Sequence, residues 1–221
     1  MNKWLRRIRN SLGYGVQSPS DFYFVQHVLR EQSPYYSYTD LEEMSKKYSS
    51  RLPSYPDATN KLLFRLANYI QPDTILEVGA GLSTFAMAKA CPSARCIAIT
   101  PSDACSEAMR PLLSEYPEVE VKNGDEMALF YDSVHQTGKM DILHIAHTEH
   151  YQEIVASALP YATDHALLII EDIHANKEKH DWWEKLQENH PSGISYDLTH
   201  IGLLFFDRSR HKETYWINLK D

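Results

Sequence analysis

Two parts of the 221-residue chain bring together side chains suited to chemistry. In the first, I-L-E-V-G-A-G-L-S-T (75–84), an acid, two glycines and a Ser-Thr pair sit between an apolar run and a run with helical rhythm. Glycines at 79 and 81 permit positive φ and let a ligand approach the backbone closely. Ser83 or Thr84 is placed to cap the helix that follows, and a helix N-terminus favours negative charge. In the second part, His147 and His150 follow the apolar run MDILHIA (140–146), while Glu171, Asp172 and His174 close or follow HALLIIED (165–172). Histidine titrates near neutral pH without tuning, so these groups suit a base that frees an acceptor's lone pair. The plainer roles are a helix cap before ANKEKHDWW for Asp172 and a surface position for His174.

Both parts need elements to hold them. Residues 1–57 are rich in Tyr, Ser and charge, with helical patterns around 20–31 and 39–48, and YSSRLPSYPD (48–57) reads as a linker. From Ala58 the chain alternates. The helix ATNKLLFRLANYI leads to the strand TILEV, and a helix from Leu82 leads to RCIAIT (95–100). SDACSEAMRPLL leads to VEVKN (119–123), then come MDILHIA, a helix from about Glu149, HALLIIED and a helix through DWWEKLQ. Strands apolar on both faces belong to a parallel sheet covered by helices. The tail ISYDLTHIGLLFFD has the period of two adjoining strands, which makes an antiparallel edge. The expected architecture is a doubly wound, mainly parallel α/β domain over 58–221 with a helical N-terminal extension over 1–57. Ligands in such sheets sit beyond the carboxyl ends of the strands, and the glycine loop follows the first strand.

Composition narrows the function classes. A net charge of −8 argues against general nucleic-acid binding, which needs a broad basic surface. No apolar run reaches the ~18 residues of a membrane span. MNKWLRRIRN is basic but lacks the apolar stretch of a secretion signal, and reads as a short surface helix or a contact for an acidic partner. Cys91, Cys96 and Cys105 are unpatterned, which fits reduced thiols and a cytoplasmic location.

The dinucleotide fingerprint G-x-G-x-x-G fails at its third glycine, where Thr84 stands, so a nicotinamide-linked oxidoreductase is disfavoured. The pattern E-V-G-A-G-L-S instead resembles the first motif of class I S-adenosylmethionine-dependent methyltransferases, with Ser83 at the third glycine. NGD (123–125) matches the segment after their third strand, MDILHIA their fourth strand and LLIIEDIH their fifth. The flanks YGVQSP, LLFRLANYI, EDIHANKE and IGLLFFD look like those of a bacterial, O-methyltransferase-like subgroup, and the similarity covers roughly residues 58–207. The resemblance implies a Rossmann-like methyltransferase sheet, S-adenosylmethionine as cofactor and a small-molecule acceptor methylated at oxygen. It implies cofactor contacts from Glu77, Gly79, Ala80, Gly81, Ser83, Thr100, Gly124 and Asp125, the last near the adenine. Asp172, His174, His147 and His150 are then the candidate bases, and the N-terminal extension a lid or a homodimer contact.

Two positions depart from the pattern. The second strand ends in Thr100 where the family has an acid for the ribose hydroxyls, and Thr100-Pro101-Ser102-Asp103 reads as a helix start with Thr100 as cap. The fourth strand ends in Ala146 where metal-dependent O-methyltransferases place a ligating Asp, leaving Glu171 and Asp172 at the position of their Asp-Asn pair. Two carboxylates fall short of a hard-cation site. His144, His147 and His150 lie three apart, yet a strand and a helix do not give them one face, so no metal site is expected. Trp182, Trp183, Tyr23, Tyr35, Tyr36 and Tyr38 suggest an aromatic acceptor pocket, although aromatics in helices more commonly fill cores. The main alternative is a catalytically degenerate methyltransferase-fold binding protein.

Overall fold

A strand without a polar side belongs in the middle of a covered sheet, and all five residues of β1 (Thr74–Val78) are buried. The computed structural model describes residues 3–53, 56–189, 193–207 and 212–219. These form two compact units, one of residues 33–162 and one built from both ends of the sequence, 1–32 and 163–221. In chain order come α1 (Lys3–Ser11), α2 (Pro19–Phe24) continuing as a π-helical turn over Val25–Leu29, α3 (Tyr36–Tyr48) and α4 (Asp57–Ile70). After β1 follow α5 (Leu82–Ala90), β2 (Arg95–Thr100), α6 (Asp103–Leu112), β3 (Val119–Asn123), α7 (Glu126–Thr137) and β4 (Met140–Ile145). The rest comprises α8 (Tyr151–Ala158), β5 (Ala162–Glu171), α9 (Lys177–Asn189), β6 (Ile194–Asp197), β7 (Ile201–Phe205) and β8 (Glu213–Trp216). The strand order is β3-β2-β1-β4-β5-β7-β6-β8. It is the mainly parallel, doubly wound sheet with an antiparallel C-terminal edge.

In the central unit β1 pairs in parallel with both β2 and β4, and β2 with β3. Phe64 of α4, Phe85 and Ala86 of α5, Ala98 of β2 and Met109 of α6 share one apolar cluster with Leu41 and Tyr48 of α3. Tyr35 and Tyr38 pack on Phe64 at 5.7 and 6.0 Å, whereas Tyr36 is fully exposed, against the expectation of a core aromatic. Cys91, Cys96 and Cys105 are buried free thiols; burial pushes Cys91 up to about 11 and raises the other two.

In the terminal unit β7 runs antiparallel to both β5 and β6, and β8 adds in parallel beyond β6. Phe24 meets Tyr196 at 4.9 Å and Phe205 at 5.2 Å, and buried Asp21 accepts from the hydroxyls of Tyr196 and Tyr215. Trp183 is fully buried over Gly202, where a Cβ would lie 2.7 Å from the indole. Trp182 is half-buried, and Tyr23 is exposed with its ring beside His27. The sequence reading had no place for α7 or β8. Helix α7 buries only Phe130, Ser133 and Val134, too thin a stripe to stand out, and β8 is four residues long. No helix among the described residues is long and apolar enough to cross a membrane.

Candidate functional site

The loop after β1 is tied down on every side. The N–H groups of Gly79 and Ala80 both donate to the Ile99 carbonyl of β2 at 3.0 Å. Gly79 sits at φ +92°, and the Ala146 carbonyl oxygen lies 2.0 Å from where its Cβ would be, so only glycine fits. Gly81 differs from expectation. Its φ of −172° is extended backbone, and what demands glycine there is the Pro53 carbonyl oxygen, 2.6 Å from a would-be Cβ.

Of the two hydroxyls expected to cap α5, Thr84 does so: Gly81 is the N-cap residue and its N–H donates to the Thr84 hydroxyl at 3.2 Å in a capping box, whereas Ser83 takes no part in the cap. Both hydroxyls donate to Glu77, Ser83 to Oε1 and Thr84 to Oε2, each at 2.5 Å. Nδ1 of His144, paired in register with Glu77 across β1 and β4, lies 2.8 Å from Oε1. Glu77 and His144 are wholly buried. A carboxylate so placed must be matched by donors, and these three bind β1, α5 and β4 together beneath the loop.

At the end of β2, buried Thr100 is not the cap of α6. Ser102 is: its hydroxyl accepts from the Cys105 N–H at 3.2 Å, while the Thr100 hydroxyl accepts from the Ser102 N–H at 3.2 Å. Exposed Asp103 accepts from the Asn123 side chain at the end of β3. Gly124 (φ +149°) is exposed and donates to the Thr100 carbonyl at 3.2 Å. Asp125, also exposed, caps α7 by accepting from the Ala128 N–H at 2.8 Å. Next to it, Glu126 accepts from Thr148 through Oε2 at 2.7 Å, while its Oε1 is buried without a partner among the described residues. The sequence places Asp103 only in the start of α6 and gives no role to Glu126; they lie three residues past Thr100 and one past Asp125.

The candidate bases fall in different units. In the central unit, exposed His147 has φ +49°, and His150 precedes α8 with its N–H donating to Thr148 Oγ1 at 3.1 Å. In the terminal unit, half-buried Asp172 has φ +54°, and exposed His174 lies 3.0 Å from Asp197. The cap before α9 is Asn176, whose Oδ1 accepts from the Lys179 N–H at 2.8 Å, rather than Asp172.

No family model and no curated protein sequence matches the chain. Solved structures do. The O-methyltransferase TomG from Streptomyces achromogenes, involved in tomaymycin synthesis and solved with S-adenosylmethionine, is 19% identical with a TM-score of 0.59, over 84% of this chain and 95% of that one. An O-methyltransferase from Bacillus cereus, solved with S-adenosylhomocysteine, is 14% identical with a TM-score of 0.59, over 85% and 97%. A methyltransferase from Geobacter sulfurreducens is 19% identical with a TM-score of 0.57, over 82% and 93%. This is the methyltransferase fold.

The ends of β2 and β3 present polar groups to solvent. Asp103, Gly124 and Asp125 are exposed, and the orphaned Glu126 Oε1 is an acceptor without a donor. Carboxylate acceptors of this kind suit a ligand that donates from ribose hydroxyls and an exocyclic amine. At the end of β4, Ala146 presents no side-chain ligand. Among the described residues no group of three or more His, Cys, Asp or Glu side chains is arranged to hold a metal ion.

Proposed function

We propose that the chain transfers a methyl group from S-adenosylmethionine to an oxygen of a small-molecule acceptor. The observation that carries this reading is β7, antiparallel between β5 and β6. A dinucleotide-binding sheet passes from its fifth strand to its sixth without such an insertion, whereas O-methyltransferases solved with S-adenosylmethionine or S-adenosylhomocysteine share this fold. When bound, the cofactor supplies an electrophilic methyl group on a cationic sulfur.

The chain's own residues divide the remaining work. Glu77, through Ser83, Thr84 and His144, holds the Gly79–Ala80–Gly81 loop against which the cofactor lies. Thr100, assisted by Asp103, takes the ribose. Gly124, Asp125 and the free Glu126 oxygen take the adenine. Asp172, His174, His147 and His150 are the pool from which the base comes. With no ligand at Ala146, deprotonation falls to a side chain rather than to a divalent cation. Residues 1–57 act as lid or homodimer contact, and the protein works in the cytoplasm away from nucleic acid.

Calorimetry with S-adenosylmethionine, S-adenosylhomocysteine and NAD tests the reading. The first two are expected to bind and NAD is not. Gly81→Val is expected to abolish binding while the fold persists, since its side chain must displace the Pro53 carbonyl. Binding of NAD alone, or of none of the three, overturns the proposal.

A further inference from the structure

Helix α1 carries Arg6, Arg7 and Arg9 in a chain whose net charge is −8. Arg7 serves the fold. Its Nη2 donates to Oδ1 of Asp197 at 2.8 Å, and its Nη1 to the Thr199 hydroxyl at 2.7 Å and to the carbonyls of Asp197 and Ile217 at 3.2 Å. Burial pushes the Asp197 carboxyl up. The Arg7 hydrogen bond, the Thr199 N–H and the charges of Arg7 and His174 outweigh it and hold the group below the usual carboxylate range. Arg6, Arg9 and Asn10 occupy positions i, i+3 and i+4, which lie together on one helix face. That face and β8 line a cleft of about 230 Å³, all of it in the unit built from residues 1–32 and 163–221. Arg6 and Arg9 are exposed, and the guanidinium carbon of Arg6 lies 5.8 Å from the Trp216 ring centroid, a cation–π contact that orients the group.

Asn10 decides what the cleft takes. The residue is only 8% exposed, yet its side-chain amide makes no hydrogen bond among the described residues. A buried amide in that condition calls for a partner. Its Oδ1 is set against the backbone of Gly15, where a Cβ would lie 2.0 Å from that oxygen, so only glycine leaves room for it. With the oxygen closed off by a C–H group, Nδ2 and its two donors are the side left for a ligand. The α1 face therefore offers N–H groups from two guanidinium forks and one amide. Among the lining residues the one acid is Glu213 of β8, whose Oε1 accepts from the Thr214 N–H at 3.4 Å. Glu213 offsets one of the two cations, and the other remains uncompensated.

We propose that this cleft binds a phosphate group through the forks of Arg6 and Arg9 and the Asn10 amide. These donors outnumber what the two oxygens of a carboxylate can accept in one place, whereas a phosphate presents three or four oxygens to them. The site is independent of the methyl-transfer reading.

The full chain labelled with ¹⁵N tests this by titration with sodium phosphate at constant ionic strength, read at the Asn10 side-chain amide and the Trp216 indole N–H. Saturating shifts confined to α1, Gly15 and β8 are expected, with acetate roughly tenfold weaker. Arg6→Gln and Arg9→Gln are each expected to weaken phosphate binding roughly tenfold. Both positions are exposed, and retained amide dispersion shows that the variants fold. Arg6→Lys, which keeps the charge and loses the fork, is expected to bind more weakly than the parent. Arg110→Gln, at an exposed arginine of the other unit, is expected to change nothing. Phenyl phosphate distinguishes the sources: tighter binding than inorganic phosphate identifies an ester whose organic part meets Trp216, and equal or weaker binding identifies the bare ion. Shifts that rise without saturating, acetate as strong as phosphate, or a folded Arg6→Gln or Arg9→Gln that binds like the parent each overturns the proposal.

Discussion

At Gly79 the backbone turns at φ +92° with the Ala146 carbonyl oxygen where a side chain would begin. Gly79→Ala is therefore expected to lower stability by about 1–3 kcal/mol through strain alone, with the 2.0 Å contact adding to it. Gly81→Ala, on extended backbone with a single close carbonyl, is expected to cost less. Urea unfolding of the two variants checks the order, and equal midpoints would refute it. The sequence showed that both glycines matter but not which one bends, because residue type carries no φ. Glu77 was legible as an acid at the loop. Its partner His144 was not, because 67 residues separate them and only strand register brings them face to face.

Among the elements, the strands were the most legible. Apolar runs with turns between them leave little choice once both faces are buried, as in β1, β2 and β4. Helix starts were less so. T-P-S-D offers two hydroxyls for one cap, and Ser102 takes it because Thr100 is still in the strand. Ser102→Ala is expected to destabilise the fold by about 1 kcal/mol, whereas Thr100→Val keeps the Ser102 cap and, on the function proposed above, is expected to weaken S-adenosylmethionine binding. Thermal unfolding compared with calorimetry distinguishes the two. The cap of α9 shows the same ambiguity, since Asp172 and Asn176 are both capping residue types and only Asn176 has an oxygen on the N–H of the first turn. The alternation of helix and strand thus fixes the order of the strand-end loops, while the identity of each capping side chain depends on offsets of a few residues.

For the molecule as a whole, the basic N-terminus is an anchor. Arg7 of α1 reaches the carbonyls and carboxylate at the ends of β6 and β8, a pairing no local pattern announces. Because the folded-state pKa of Asp197 is depressed, its contribution to stability is complete above the unfolded value of about 4 and is lost as pH falls through the folded one. Asp197→Asn is expected to be less stable than the parent near pH 6, and the gap is expected to narrow toward pH 3. Denaturant midpoints at both pH values measure it, and a constant gap would count against an ionic anchor. The same anchor spans 190 residues, and this sets an order of events during synthesis. Residues 33–162 form a contiguous unit that can close while the chain is still on the ribosome, whereas residues 1–32 belong with a segment that has yet to be translated. The first helix made is therefore among the last to find its place, and a nascent chain stalled before Asp197 would carry its arginine-rich start without the partner that holds it.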